Sequence, residues 1–193
     1  MGRPKATLQI GGRTFVQAVV DLLREGGCDD VVVVVPEDAH LEHAAAQTSA
    51  QLLVNPDPGD GPITSLRLAI RSLPAQAQGV VYLPVDHPLV SPSTVSEILS
   101  HARATCPPLV LPMLGDDRGH PSYMGRALFD ELLDPALEGG ARIVVHRYLG
   151  EAVLLPVDDS GVRQDLDTPE AYAAALGLPT DAAQGSVAAG EAS

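Results

Sequence analysis

Hydrophobic residues change their spacing several times along the chain, and each change predicts a different element. From Thr14, apolar residues recur at Phe15, Val19, Leu22 and Leu23, one face of a helix, and Gly26-Gly27 supplies a left-handed stop. Val31 to Val35 is then an unbroken β-branched run closed by Pro36, the pattern of a strand buried on both faces. Glu37 to Ala46 predicts a helix and Gln51 to Val54 a short strand. Asn55 to Pro62 reads as a rigid Gly/Pro-rich loop, after which helical spacing resumes from a Thr64 cap through Leu66, Ala69, Ile70 and Leu73.

The second half repeats the alternation. Val80 to Val85 predicts a buried strand, and Ser91-Pro92 an N-cap with proline at the first helical position of a helix reaching about Ala104. Leu109 to Met113 predicts another strand, Gly115 to Gly119 a turn, and His120 to Met124 further extended chain. Helices over Arg126 to Leu133 and through Ala141 to Val145, then a strand from Val153 to Val157, complete the pattern. Strands alternating with helices at this spacing predict an α/β fold with an open, mostly parallel sheet flanked by helices. Residues 1–178 read as a single domain, and the Ala/Gly/Ser-rich residues 179–193 as a disordered tail.

Composition narrows the partners. The 193 residues are 45% hydrophobic but only 3% aromatic, with no tryptophan, so Val, Leu, Ala and Ile must build the core. A formal charge of −13 argues against a nonspecific nucleic-acid footprint or attraction to anionic lipid. An anionic ligand would need a metal ion and local cations to offset this field. Cys28 and Cys106 form no CxxC pair, which suggests a reducing, cytoplasmic setting. No apolar run approaches the ~20 residues of a membrane span.

Candidate chemistry lies at the ends of the apolar runs. Asp86 follows the strand from Val80, where a parallel sheet presents side chains to ligands, although Asp86-His87-Pro88 also reads as an ordinary turn. Asp165 and Asp167, two apart on an extended segment, would face one side together and suit a cation; equally, Asp167 with Glu170 is a capping box before Pro169. The loop before Thr64 either exposes backbone N–H groups to an anion or base edge, or simply connects a strand to a helix. Gly119-His120-Pro121 offers either close backbone approach beside a histidine or a turn histidine in water. His40 and His43 share a helix face without further metal ligands nearby and read as solvated surface. Lys5 is a lone early cation.

Met1-Gly2-Arg3-Pro4-Lys5, Asn55-Pro56 with Gly61 and Ser65-Leu66-Arg67, Val85-Asp86-His87-Pro88, Gly119-His120-Pro121, Gly140-Ala141-Arg142 and Asp165-Leu166-Asp167-Thr168-Pro169-Glu170 occur in this order. Together they resemble the molybdenum-cofactor nucleotidyltransferases, especially the cytidylyltransferase branch, over about residues 1 to 176. The resemblance implies a Rossmann-like nucleotidyltransferase fold and transfer of a nucleoside monophosphate from a nucleoside triphosphate, CTP in that branch, to a phosphorylated acceptor, molybdopterin carrying molybdenum. It implies Mg²⁺ held by Asp86 and Asp167, Lys5 on the triphosphate, and Asn55, Gly61 and Ser65 within the region that binds base and ribose. Gly119 and His120 fall on the acceptor side, and a molybdoenzyme or its chaperone is a further partner so implied. Two readings stand beside it: transfer to a sugar phosphate or other small acceptor, and a nucleotide-binding protein without catalysis. Members of the family carry a strand and a Leu-Ala-Ala-Gly-type loop ahead of the Met-Gly-x-x-Lys motif. Here that methionine is residue 1, so the resemblance implies a first strand and phosphate loop missing from these residues, with the natural start expected upstream.

Overall fold

The computed structural model describes residues 4–178; the expected tail lies outside them, as do Met1, Gly2 and Arg3. A short hairpin, β1 (Gln9–Ile10) and β2 (Arg13–Thr14), leads into helix α1 (Phe15–Glu25). Thr14 starts that helix by a reciprocal capping box: its hydroxyl accepts from Gln17 N at 3.3 Å while the Gln17 side chain accepts from Thr14 N at 2.9 Å. Strand β3 (Val32–Pro36), helix α2 (Ala39–Ala46), strand β4 (Gln51–Asn55) and helix α3 (Pro62–Ser72) follow. Next come β5 (Gly79–Tyr82) and α4 (Pro92–Thr105), the latter capped by Ser91 with Pro92 in its first turn, as the sequence predicts.

The last third contains β6 (Leu109–Leu114), β7 (Asp117–Arg118), β8 (Ser122–Gly125), the short helices α5 (Phe129–Leu133) and α6 (Ala141–Arg147), β9 (Val153–Pro156) and α7 (Pro169–Ala175). The α/β layering is that expected, but the sheet is mixed. β6 and β9 are parallel, whereas β8 runs antiparallel to both β5 and β6. The reason is local: β6 turns back through the β7 hairpin instead of crossing over a helix, and a short turn can only join antiparallel neighbours.

Helices cover both faces. Alternate residues of β5 divide between them: Val80 and Tyr82 pack with α3, α5 and β6, while Val81 packs with α1 and α4. The first core centres on Leu109, Leu128, Leu132 and Val144, all 0% exposed, and the second on Val20 and Val95, 1% and 0% exposed. Burying such side chains is worth about 1.5–3 kcal/mol each.

The sheet is not continuous. β3 and β4 form a separate two-stranded parallel sheet, and no ladder joins β3 to β5 among the described residues. A cavity of about 880 Å³ lies between those two strands, lined by Val31 to Val34 on one side and Gly79 to Asp86 on the other. Consequently Val32, Val33 and Val34, expected to be buried on both faces, are only half-buried.

Candidate functional site

At the carboxyl end of β5 the chain turns through Pro84 to His87, with His87 N donating to Pro84 O at 3.2 Å. This delivers Asp86 to the end of the sheet. The late segment is pinned to the same place because Leu166 N donates to Asp86 O at 2.8 Å and Leu166 is buried at 3% exposure. Extended backbone then puts Asp165 and Asp167 on the outer side, away from Leu166. Asp167 turns to Lys5; Asp165 is exposed and takes no part.

Helix α7 starts differently from the capping box expected. Thr168, not Asp167, is the N-cap, its hydroxyl accepting from Ala171 N at 3.1 Å with Pro169 in the first turn. A threonine one residue closer to the proline does the capping, which leaves the Asp167 carboxylate free. Lys5 arrives on a single 3₁₀ turn, and its Nζ donates to Asp86 Oδ2 at 3.3 Å and to Asp167 Oδ1. Three residues far apart in sequence thus form one cluster.

The electrostatics follow from this sharing. The hydrogen bond to Asp167 raises the Lys5 ammonium above its ordinary pKa, and the same bond holds the exposed Asp167 carboxyl below its own. Asp86 moves the other way: burial pushes it up, the neighbouring Asp167 adds to the push, and Lys5 opposes it. The ammonium is the counter-ion of the pair.

Behind Asp86 stands an aromatic and imidazole wall. The His87 ring is 4.9 Å from that of His120, which in turn lies 6.0 Å from Tyr82, both edge-on. His87 Nε2 is 3.9 Å from Asp86 Oδ1, and Nδ1 of each histidine is buried without a hydrogen-bond partner. Burial holds His120 neutral, its pKa pushed down to about 4. His120 is therefore not a turn histidine in water. Gly119 lets the segment between β7 and β8 close on Val162, since a Cβ there would lie 2.3 Å from Val162 O, and His120 N donates to that same oxygen at 2.8 Å.

The loop candidates are organised as a fastener. Asn55 is 2% exposed; its amide donates to Thr64 Oγ1 at 2.8 Å and Ser65 Oγ at 3.1 Å, and its Oδ1 accepts from Asp57 N at 3.0 Å. Gly61, at φ 82°, forms the N-cap of α3 in the role expected of Thr64; only glycine takes that backbone readily. Arg67 spends its guanidinium on the carbonyls of Leu132 and Asp134. Asn55 and Ser65 therefore shape this loop, with Ser65 also lining the central cavity beside Asp86.

Residues 1–153 match the MobA-like NTP transferase domain family, four-fifths of the chain. The chain belongs to that family. Among its relatives, a protein named nicotine blue oxidoreductase from Paenarthrobacter nicotinovorans is 29% identical over 178 residues, covering 88% of this chain and 87% of its own length. A probable molybdenum cofactor guanylyltransferase from Mycobacterium avium is 31% identical over 148 residues, 74% of this chain and 71% of its own. The crystal structure of Rv0371c from Mycobacterium tuberculosis superposes with a TM-score of 0.80 at 28% identity, covering 92% of this chain and 90% of that one. A manganese complex of Rv0371c superposes with a TM-score of 0.75 at 27% identity, covering 90% of this chain and 91% of that one.

For an NTP transferase the Lys5, Asp86 and Asp167 cluster has the right donors. Two carboxylates converge on one cationic nitrogen, and hard oxygen donors of this kind could hold Mg²⁺ or Mn²⁺. Among the described residues no group of three or more His, Cys, Asp or Glu gathers for a metal. His40 and His43 are both exposed on α2. No described helix is long and apolar enough to cross a membrane. The residue that sequence reasoning left without a role of its own is His87, read only as a turn residue and as part of the Val85-Asp86-His87-Pro88 motif, yet buried at 8% exposure. Its signal was the uninterrupted apolar run before it, which carries the turn into the interior.

Proposed function

We propose that this chain transfers a nucleoside monophosphate from a nucleoside triphosphate to a phosphorylated acceptor, the molybdopterin cofactor, with release of pyrophosphate, and that Mg²⁺ is its metal. The observation that carries this reading is the convergence of Asp86 and Asp167 on Lys5 at the carboxyl end of β5. CTP is the donor to which the order of motifs points; GTP is the one that the name of the mycobacterial relative suggests.

In this reaction an acceptor phosphate oxygen attacks the α-phosphorus of the triphosphate. The bond from that phosphorus to the β-bridging oxygen breaks, and its electron pair leaves with pyrophosphate. The obstacle is mutual negative charge, so the protein contributes position and charge neutralisation, and no covalent enzyme intermediate is required. Asp86 and Asp167 would hold the metal, which supplies Lewis-acid neutralisation of the phosphates when bound. Lys5 is the cation that meets the triphosphate once the carboxylates have another partner. Asn55 holds the loop in front of α3 against the base and ribose, with Gly61 and Ser65 at its contact side. His120, neutral and walled in beside His87, faces the acceptor side together with Gly119.

The test is pyrophosphate release with CTP or GTP, Mg²⁺ or Mn²⁺ and molybdopterin as acceptor. Asp86→Asn is expected to lower turnover roughly 100- to 1000-fold, the scale of losing a main electrostatic stabiliser, with an unchanged circular dichroism spectrum. Full activity in that variant overturns the metal-ligand role. The name of the Paenarthrobacter relative favours a second reading, an oxidoreductase built on the same fold. Binding of NADH with no pyrophosphate release from any triphosphate would select that reading.

A further inference from the structure

Most arginines among the described residues are spent internally, each on a carboxylate or a backbone carbonyl. Among the described residues Arg71, Arg118 and Arg142 hold neither, and all three are exposed. Arg71 is in the last turn of α3, next to the start of β5 and so at the end of the sheet remote from Asp86. The other two lie at the Asp86 end. β8 is antiparallel to both β5 and β6, so β5 and β6 share one direction, and the β7 hairpin that carries Arg118 extends β6 at its carboxyl end. The first turn of α3 is at that end too, and α6 starts against it: a Cβ at Gly140 would lie 3.8 Å from the Ile63 Cβ. Gly139 and Gly140, at φ 78° and 69°, make the turn that sets Arg142 there.

The two also share a face. Arg118 is directly across from Met113, so both side chains leave the sheet on the same side, and alternation along β6 gives Met113 the side of Leu109 and Leu111. Those leucines pack in the core that includes Ile63, Tyr82 and Ala141, under α3 and α6, whereas Val110 packs with Ile98 of α4 on the other face. Tyr82 is also the ring that His120 meets edge-on. Arg118, His120 and Arg142 thus belong to one face at one end of the sheet. The hairpin is fixed by Arg163, which donates to Arg118 O at 2.9 Å and lies 3.6 Å from Asp117 Oδ2. That second contact occupies the neighbouring carboxylate and leaves the Arg118 guanidinium its full charge.

We propose that Arg118 and Arg142 together bind the phosphate monoester of the acceptor and so select phosphorylated acceptors over neutral ones. A guanidinium presents paired N–H donors that match two phosphate oxygens, and two guanidinia offset a dianion that a chain of net charge −13 otherwise repels. Both arginines bind and position; no bond to either forms or breaks. The word acceptor rests on the transfer reaction proposed above, whereas the anion site itself rests on the placement of the two side chains.

Calorimetric titration of the full chain with inorganic phosphate, and separately with CTP and Mg²⁺, tests it. Arg118→Gln and Arg142→Gln should each weaken phosphate binding roughly 10-fold, and the double variant roughly 100-fold, the scale of losing charge-assisted hydrogen bonds. CTP affinity should stay within about 2-fold of the parent in all of them, as should phosphate affinity in Arg71→Gln, which removes the same charge at the other end of the sheet. Undiminished phosphate binding in the double variant overturns the proposal, as does a parent chain that binds no phosphate. An equal loss in Arg71→Gln also overturns it, because net charge would then be the cause, and so does a parallel loss of CTP affinity, which would give the pair to the donor triphosphate. Kinetics separate this subsite from the reaction. If no triphosphate releases pyrophosphate, the transfer reading fails while the phosphate titration still decides the anion site; if the double variant turns over with an unchanged KM for molybdopterin, the subsite alone fails.

Discussion

Two Val- and Leu-rich stretches of this molecule end up in different surroundings. Leu109, Val110 and Leu111 of β6 are 0%, 0% and 3% exposed, held between β8 and β9 with helices on both faces. Val32, Val33 and Val34 of β3 are at least as apolar, yet only half-buried, because one edge opens on the central cavity. Hydrophobic side chains supply the capacity for burial; neighbours on both edges realise it.

Four measurements sharpen or break that contrast. The largest effect is expected at Leu109→Ala, where a fully enclosed side chain has nothing to collapse around it, at about 3–4 kcal/mol of unfolding free energy in urea melts. On the open side the costliest single change should be polar. Asn55→Ala strands two hydroxyls and the Asp57 N–H, and should cost about 2 kcal/mol by the same melts, more than the half-buried Val32, Val33 or Val34 of β3. A pH-dependent loss belongs to the closed side. His120 is held neutral with its pKa lowered from 6.5 to about 4, so the unfolded chain binds the proton more readily. Its contribution is complete above pH 6.5 and lost as pH falls toward 4, and the His120→Asn variant should lack that segment of the stability profile. The smallest effect, under about 1 kcal/mol, is expected for Val33→Ala, since little of its neighbourhood closes over it. If Val33→Ala cost as much as Leu109→Ala, the contrast between the two regions would be wrong.

Much of this was legible from periodicity alone. The β-branched run at Val31, the amphipathic start at Thr14 and the capped start at Ser91 became β3, α1 and α4 because local pattern and tertiary packing agree there. The split of the sheet was not legible from periodicity, since the spacing of apolar residues records which face a strand buries and nothing about its edges. The candidate site divides in the same way. Lys5 and Asp167 are 162 residues apart, and only the order of motifs, not any local spacing, pointed to their meeting. Competition among neighbours decided the rest. Thr168 took the cap that Asp167 also suited, Gly61 took the one that Thr64 also suited, and Asn55, a candidate for contact with a nucleotide, is spent inside its own loop. For His120 the sequence left open a turn histidine in water, because a turn in sequence says little about depth; Tyr82 and His87 pack against its ring.

The ammonium shared by Asp86 and Asp167 has a consequence for how any other cation enters. Under the proposed role of this pair, loading would be an exchange and not an addition, and a metal's affinity would be a difference between the incoming ion and the internal one. An arriving ion would displace Lys5 and leave a positive charge for a negatively charged ligand, which would tie the order of binding to a single side chain.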